Sequence, residues 1–196
     1  MEKIRIRAGQ NFAYDVKVEG EPAPETTWSL KGAKVTNTER TKIKDEPYSM
    51  KINCRGATRA ESGIYKLKAV NQWGEDEAEV EVIVLDRPGP PNGPLKIEDV
   101  HAEGCTLKWK PPSDDGGVPI DHYVAEKMDM ATGLWTPAGT TKGSECELGV
   151  DNLIPGHSYK FRVKAVNRQG ESDPLEADKP ILAKNPFGEC TLHSNF

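Results

Sequence analysis

The sequence predicts an all-β chain built as two β-sandwich domains in tandem, and three observations carry that prediction. Apolar residues alternate with polar ones in short runs, the period of a strand with one buried face. The 15 prolines and 18 glycines sit between those runs instead of pooling in one tract, as turns between short strands do. Near the middle of the 196 residues, Arg87-Pro88-Gly89-Pro90-Pro91 separates two such series, each the size of a small domain.

In the first series Phe12, Tyr14, Val16 and Val18 alternate with Asp15, Lys17 and Glu19 until the turn Gly20-Glu21-Pro22-Ala23-Pro24. Trp28 and Leu30 mark a second strand, Met50, Ile52 and Cys54 a later one. Tyr65, Leu67 and Ala69 lead to the turn Asn71-Gln72-Trp73-Gly74. In the last run Ala78, Val80, Val82 and Val84 face in while Glu77, Glu79 and Glu81 face out. The pattern Val18-x-Gly20-x-Pro22-x-Pro24-x-x-x-Trp28, with Glu61-Ser62-Gly63-Ile64-Tyr65 downstream, resembles the intermediate-set immunoglobulin domain, expected here over residues 1–84.

That resemblance implies that Trp28 packs in the core and that Tyr65 forms a tyrosine corner. It also places the family's inter-sheet disulfide at Val16 and Leu67, which are plain hydrophobes here. A cross-link of that kind contributes about 2–5 kcal/mol, so packing of Val16 and Leu67 against Trp28 is expected to replace it, as suits a reducing compartment. The opening run, where Lys3, Arg5 and Arg7 alternate with Ile4, Ile6 and Ala8, lies beside the last strand in this family. Its cations are therefore expected to face the row Glu77, Glu79, Glu81 across the ladder, fixing register and protecting an edge.

A short, semi-rigid linker is expected at residues 85–87. Beyond it Leu107 and Trp109 precede Lys110-Pro111-Pro112, then the acidic glycine loop Asp114-Asp115-Gly116-Gly117 and a strand through Tyr123 to Lys127. Trp135 sits on a further strand. Leu153-Ile154-Pro155-Gly156 leads into a clean alternation from Tyr159 to Asn167. This resembles a fibronectin type III domain over residues 88–184, which implies that Trp109 is its core tryptophan and that Leu153, Pro155-Gly156 and Tyr159 make its tyrosine corner.

The two domain types on so short a linker resemble the repeats of the giant sarcomeric proteins, the titin, twitchin and projectin family, nearer its invertebrate twitchin and projectin branch. Asp114-Asp115-Gly116-Gly117-Val118-Pro119-Ile120 and Tyr123-x-x-Glu126-Lys127 look like that family's muscle repeats, and Ala183-Lys184-Asn185-Pro186-Phe187 like its exit into a following domain. The resemblance implies a structural and protein-binding segment: a spacer, a docking module for myosin or other filament proteins, and a bearer of tension. It further implies a monomeric segment of a longer chain in the cytoplasmic sarcomere, in the A-band or A/I region, with a protein kinase domain elsewhere in some members. Residues 185–196 are read as a tail. Residues 188–196 fit neither domain and are a disordered tail, a variant terminus or a cloning scar.

Other function classes are disfavoured by composition. Acidic and basic residues are interspersed at a net charge of −5, without the basic footprint that nucleic acid requires. No stretch approaches the roughly 18–20 apolar residues that span a bilayer, and the first residues lack a signal-peptide core, so a soluble chain is expected. Cys54, Cys105, Cys146 and Cys190 form no Cys-x-x-Cys pair and have no histidine at zinc-ligand spacing; buried free thiols are expected, with no metal and no cofactor. No Asn-x-Ser/Thr acceptor is present, which with the missing disulfide argues against the alternative class, the ectodomain fragment of a cell-adhesion receptor.

Neither a phosphate-binding glycine loop, nor His-Glu-x-x-His, nor a Gly-x-Ser-x-Gly elbow occurs, so no catalytic residue is assigned. Lys142-Gly143-Ser144 reads as a hairpin turn, and His101, His122, His157 and His193 as single groups on turns or strand faces, solvated or locally hydrogen-bonded. Recognition then falls to loops held on a rigid scaffold. Trp73 is one candidate, either standing at a loop tip for a partner or folded back over the sheet edge. The loop Asp114, Asp115, Gly116, Gly117 is the other; with residues 167–170 it is expected near the linker, where contact with the first domain competes with partner binding as its role.

Overall fold

The structure, a computed structural model, describes residues 2–46 and 48–186. The chain divides into two units between Asp86 and Arg87.

The first unit holds β1 (Glu2–Arg7), β2 (Phe12–Lys17), β3 (Glu25–Leu30), β4 (Ala33–Lys34), β5 (Thr41–Glu46), β6 (Ser49–Cys54), β7 (Gly63–Asn71) and β8 (Gly74–Leu85). They form a five-stranded sheet in the order β1-β8-β7-β3-β4 and a three-stranded sheet in the order β2-β6-β5. Alternate side chains of the main strands turn inward, so Ile52, Cys54, Tyr65, Leu67, Val80, Val82 and Val84 meet Trp28 between the sheets. Tyr14 packs edge-on against Trp28, with ring centroids 6.2 Å apart, and Phe12 against Tyr65 at 5.7 Å.

The two positions that the resemblance assigned to a disulfide are packing positions. Leu67 is buried and stands opposite Trp28 in the β3–β7 ladder. Val16 is half-buried against the same core, and with Leu67 and Ala78 it lines a cleft of about 100 Å³. A 3-10 turn, Arg59–Glu61, precedes β7, capped where the Thr58 N–H donates to Glu61 Oε2 at 2.7 Å.

The expected facing rows of charge are corrected by the register. β1 runs parallel to the second half of β8, which brings Lys3 to Glu81, at 2.8 Å, but sets Arg5 opposite Ile83 and Arg7 opposite Leu85. The remaining acids lie in the first half of β8, alongside β7 instead. There Lys68 pairs with Glu75 at 2.7 Å, and Lys66 with Glu77 and Glu79 at 3.1 and 3.0 Å. The acidic row is thus neutralised mainly by β7, whose i, i+2 lysines share its face.

In the second unit β9 (Asn92–Glu98), β10 (Cys105–Lys110), β11 (His122–Asp129), β12 (Leu134–Lys142), β13 (Glu147–Val150) and β14 (Ser158–Asn167) are followed by the short β15 (Gly170–Glu171), β16 (Leu175–Glu176) and β17 (Ile181–Leu182). One sheet is ordered β13-β10-β9; the other runs β12-β11-β14-β15, with β16 and β17 also paired to β14. Trp109 meets Tyr123 edge-on at 5.3 Å within a core that includes Leu107, Phe161 and Val163. Residues 142–144 join β12 to β13, which belong to different sheets; the turn crosses the sandwich and is not a hairpin.

Leu153 and Tyr159 are both buried, and the Ile154 N–H donates to the Tyr159 hydroxyl at 3.1 Å, closing the corner. Tyr159→Phe leaves that amide without its acceptor and is expected to destabilise the second unit by about 1–2 kcal/mol in denaturant titration. An unchanged midpoint would show that the corner bond contributes nothing. After β17, Asn185 remains tied to this unit, its Oδ1 accepting from the Ala102 N–H at 3.1 Å. The tail assigned to residues 185–196 lies, from residue 187 onward, outside the described residues, and Cys190 and His193 with it.

Candidate protein-interaction site

At the tip of the β7–β8 hairpin the Asn71 carboxamide oxygen accepts from the Trp73 and Gly74 N–H groups at 2.9 and 3.2 Å, while its Nδ2 donates to Pro22 O at 3.2 Å. These bonds hold the turn against the β2–β3 loop. Trp73 is 79% exposed, so it stands out from the loop tip and is not folded back over the sheet edge. At the same pole of the unit, away from the end where β8 finishes, Tyr48 and Val70 are also exposed. Below them a cleft of about 420 Å³ is lined by Val18, Ala23, Pro24, Tyr48 and Met50 among others.

The second candidate loop is a braced structure. Gly116 and Gly117 adopt φ of 79° and 77°, a region that favours glycine, and their N–H groups donate to the carboxylates of Asp114 and Asp115 at 3.0 and 2.8 Å. Asn167, only 4% exposed, donates through Nδ2 to Asp115 O at 2.7 Å and accepts from the Gln169 and Gly170 N–H groups at 2.8 and 3.2 Å. The Gly89 N–H donates to Asp114 O at 2.9 Å, and Arg87 reaches Asp173 at 3.3 Å. Residues 87–89, 114–117 and 167–170 therefore make one cluster, and both loop aspartates use carboxylate oxygens to turn the chain.

Sequence reasoning placed both loops but not the bond that joins them, because Asp115, which Asn167 holds, is 52 residues away along the chain. Nor did it find the partner of His157, which lies 28 residues away. In the fold its Nδ1 lies 2.6 Å from Asp129, and this hydrogen bond holds the Asp129 carboxyl below its usual range. On the outer face of the larger sheet the Arg162 guanidinium lies 4.2 Å over Trp135 and bonds Glu126 at 2.5 Å. Burial raises the Glu126 pKa, but Arg162 and Lys164 outweigh it and keep it below the ordinary value. Met130, Leu134, Ile154 and Leu182 are exposed together at the end of β14 opposite Asn167.

Among the described residues no three histidine, cysteine or acidic groups could hold a metal ion, and no helix is long and apolar enough to cross a membrane. Cys54, Cys105 and Cys146 are free thiols. Burial raises the Cys54 pKa and pushes that of Cys105 to about 11, so their thiolates are suppressed and both act as packing groups.

The two units are antiparallel-rich sandwiches, each built around a core tryptophan, Trp28 in the first and Trp109 in the second. Comparison with known families makes the class specific: residues 1–84 match the immunoglobulin I-set domain and residues 89–178 the fibronectin type III domain. The chain is an I-set and fibronectin type III tandem, and its relatives are titin-like muscle proteins.

Titin of Drosophila melanogaster is 32% identical over 180 residues, covering 92% of this chain and 1% of the relative. Fast-type myosin-binding protein C of Homo sapiens is 35% identical, covering 95% and 16% respectively, and myosin-binding protein H-like of Mus musculus 34%, covering 91% and 50%. The chain thus spans at most half the length of these relatives. A crystal structure of consecutive titin domains superposes with a TM-score of 0.54 at 29% identity, covering 93% of this chain and 62% of that one.

Proposed function

We propose that this chain is a structural and protein-binding segment of a sarcomeric filament protein, acting as a spacer or ruler element, as a docking module and as a bearer of tension. Its setting is the cytoplasmic sarcomere, in the A-band or A/I region of the myofibril, as a monomeric segment of a longer chain. The partner class is myosin or another filament protein. The observation that carries this reading is the tandem itself: both domains, in this order, align along more than nine-tenths of the chain with titin and with proteins named for binding myosin.

The surface of each unit supports it. The five-stranded face of the first unit is laced with ion pairs, whereas Trp73, Tyr48 and Val70 gather at one pole; in the second unit the exposed apolar side chains gather at the pole away from Asn167. A module that meets neighbours end to end, or a filament partner at its tips, needs apolar surface at its poles. The test is co-sedimentation with purified myosin filaments and, separately, with actin filaments at physiological salt. Binding to one of the two is expected, with Trp73→Ala weakening it several-fold while changing stability by less than about 0.5 kcal/mol, as for an exposed residue. Binding to neither would remove the docking role and leave a spacer.

A further inference from the structure

The outer face of the three-stranded sheet carries a charge pattern unlike that of the β7–β8 ladder. Across the β7–β8 ladder Lys66 and Lys68 both find carboxylates. On the β2-β6-β5 face the register instead sets Lys44 directly opposite Lys51, and Lys42 opposite Asn53. Arg55 lies next to them, its N–H bonded to Arg40 O at 2.9 Å. The acids of this face, Asp15 and Glu46, are both taken by Lys51, at 3.7 and 3.0 Å, and Arg40 reaches Glu61 at 3.5 Å. Among the described residues, the exposed Lys42, Lys44 and Arg55 have no carboxylate at salt-bridge distance. Like charges set opposite one another across a ladder destabilise it, and a chain of net charge −5 has acids to spare.

The face is also concave. A shallow cleft of about 570 Å³ is lined by Ala13, Lys42, Lys44, Asn53 and Arg55, with Glu39 as the single acid among its lining residues. Strand addition at the neighbouring edge is blocked: Thr38 Oγ1 accepts from the Thr41 N–H at 2.9 Å, Asn37 Oδ1 from the Ile43 N–H at 2.7 Å, and the Thr38 N–H donates to Thr41 O at 2.8 Å. An occupant must lie across the side chains of the face.

We propose that this face binds an acidic polypeptide segment in extended conformation, with carboxylates at alternate residues. Lys42 and Lys44 are i, i+2 on one strand and so stand roughly 6.6 Å apart, the spacing of alternate side chains on an extended partner. The charges are complementary, and the lining has no exposed aromatic ring on which a nucleic-acid base could stack. The proposal rests on the docking role above, but its test needs no filament, so the two fail separately.

The probe is a fluorescein-labelled dodecapeptide of alternating Glu and Ser, titrated by anisotropy at low salt. Measurable binding that weakens with added salt is expected, with a loss of at least about tenfold for the double change Lys42→Glu and Lys44→Glu. The charge-matched control, Lys96→Glu with Lys110→Glu in the second unit, should change binding less than about twofold. The first double variant should melt no lower than the parent, because a glutamate opposite Lys51 replaces a repulsion; this separates lost binding from lost fold. Equal losses from the two double variants would overturn the proposal, as would equal binding of the Gln-for-Glu peptide. Tighter binding of oligothymidylate through Lys42 and Lys44 would reassign the face to nucleic acid and overturn it as well.

Discussion

Val80→Pro is expected to lower the unfolding force of the first unit more than any single change in a loop. Val80 is fully buried in β8, which lies between β1 and β7, so its N–H faces a neighbouring strand whichever way it points. Proline removes that donor and fixes φ, a change that costs about 3 kcal/mol or more inside a regular element. Under tension applied along the chain, β1 and β8 are loaded in shear, and their six paired positions from Glu2–Val80 to Arg7–Leu85 resist together. A break at Val80 disturbs the start of that ladder and the Tyr65 pairing on the other side. The control is Asp115→Ala, which deletes one carboxylate–amide bond in the second unit and should leave the force of the first unit unchanged. Single-molecule stretching of the tandem reads both; equal forces for the two variants would remove the mechanical part of the proposed function.

Asn167→Ala carries the second large effect. The side chain is buried, and its removal strands the amides of Gln169 and Gly170 and the carbonyl of Asp115 in one place. Each buried group left unpaired costs about 1–3 kcal/mol, and some of this is recovered by relaxation, so a loss of about 2–4 kcal/mol is expected for the second unit. The distinctive readout is local. Because Asp114 O holds the Gly89 N–H, hydrogen exchange at Gly89, Gly117 and Gly170 should accelerate together in the variant. Acceleration at Gly170 alone would mean that the 167–170 turn is independent of residues 87–89. Asn167→Asp keeps the acceptor but loses the donor, and should fall between the two.

Much of the fold was open to reading one residue at a time. Alternation is a local property, so the inward set Ala78, Val80, Val82 and Val84 was legible in order, as were the core roles of Trp28, Leu67, Trp109 and Tyr159 once their spacing matched known sandwiches. The absence of a disulfide pair at Val16 and Leu67 is likewise written in the residues. Turn chemistry announced the Asn71 to Gly74 hairpin and the glycines at 116 and 117, since those positions demand positive φ or a side-chain acceptor.

What the sequence alone determined, then, is which side chains face inward, where the chain turns and where the two sandwiches divide, because strand period, turn residues and proline placement act within a few positions. Tertiary structure alone decided the pairings made across long separations. The parallel register of β1 sent Arg5 and Arg7 to hydrophobic neighbours and left the acidic row to Lys66 and Lys68, an outcome that depends on which half of β8 each partner covers. Asn167 became the brace of three segments, and Lys42, Lys44 and Arg55 became one face, only when strands from distant parts of the chain were laid side by side. Hydrogen bonds and charges act over a few ångströms in space, and no local pattern records which residues the fold will bring that close.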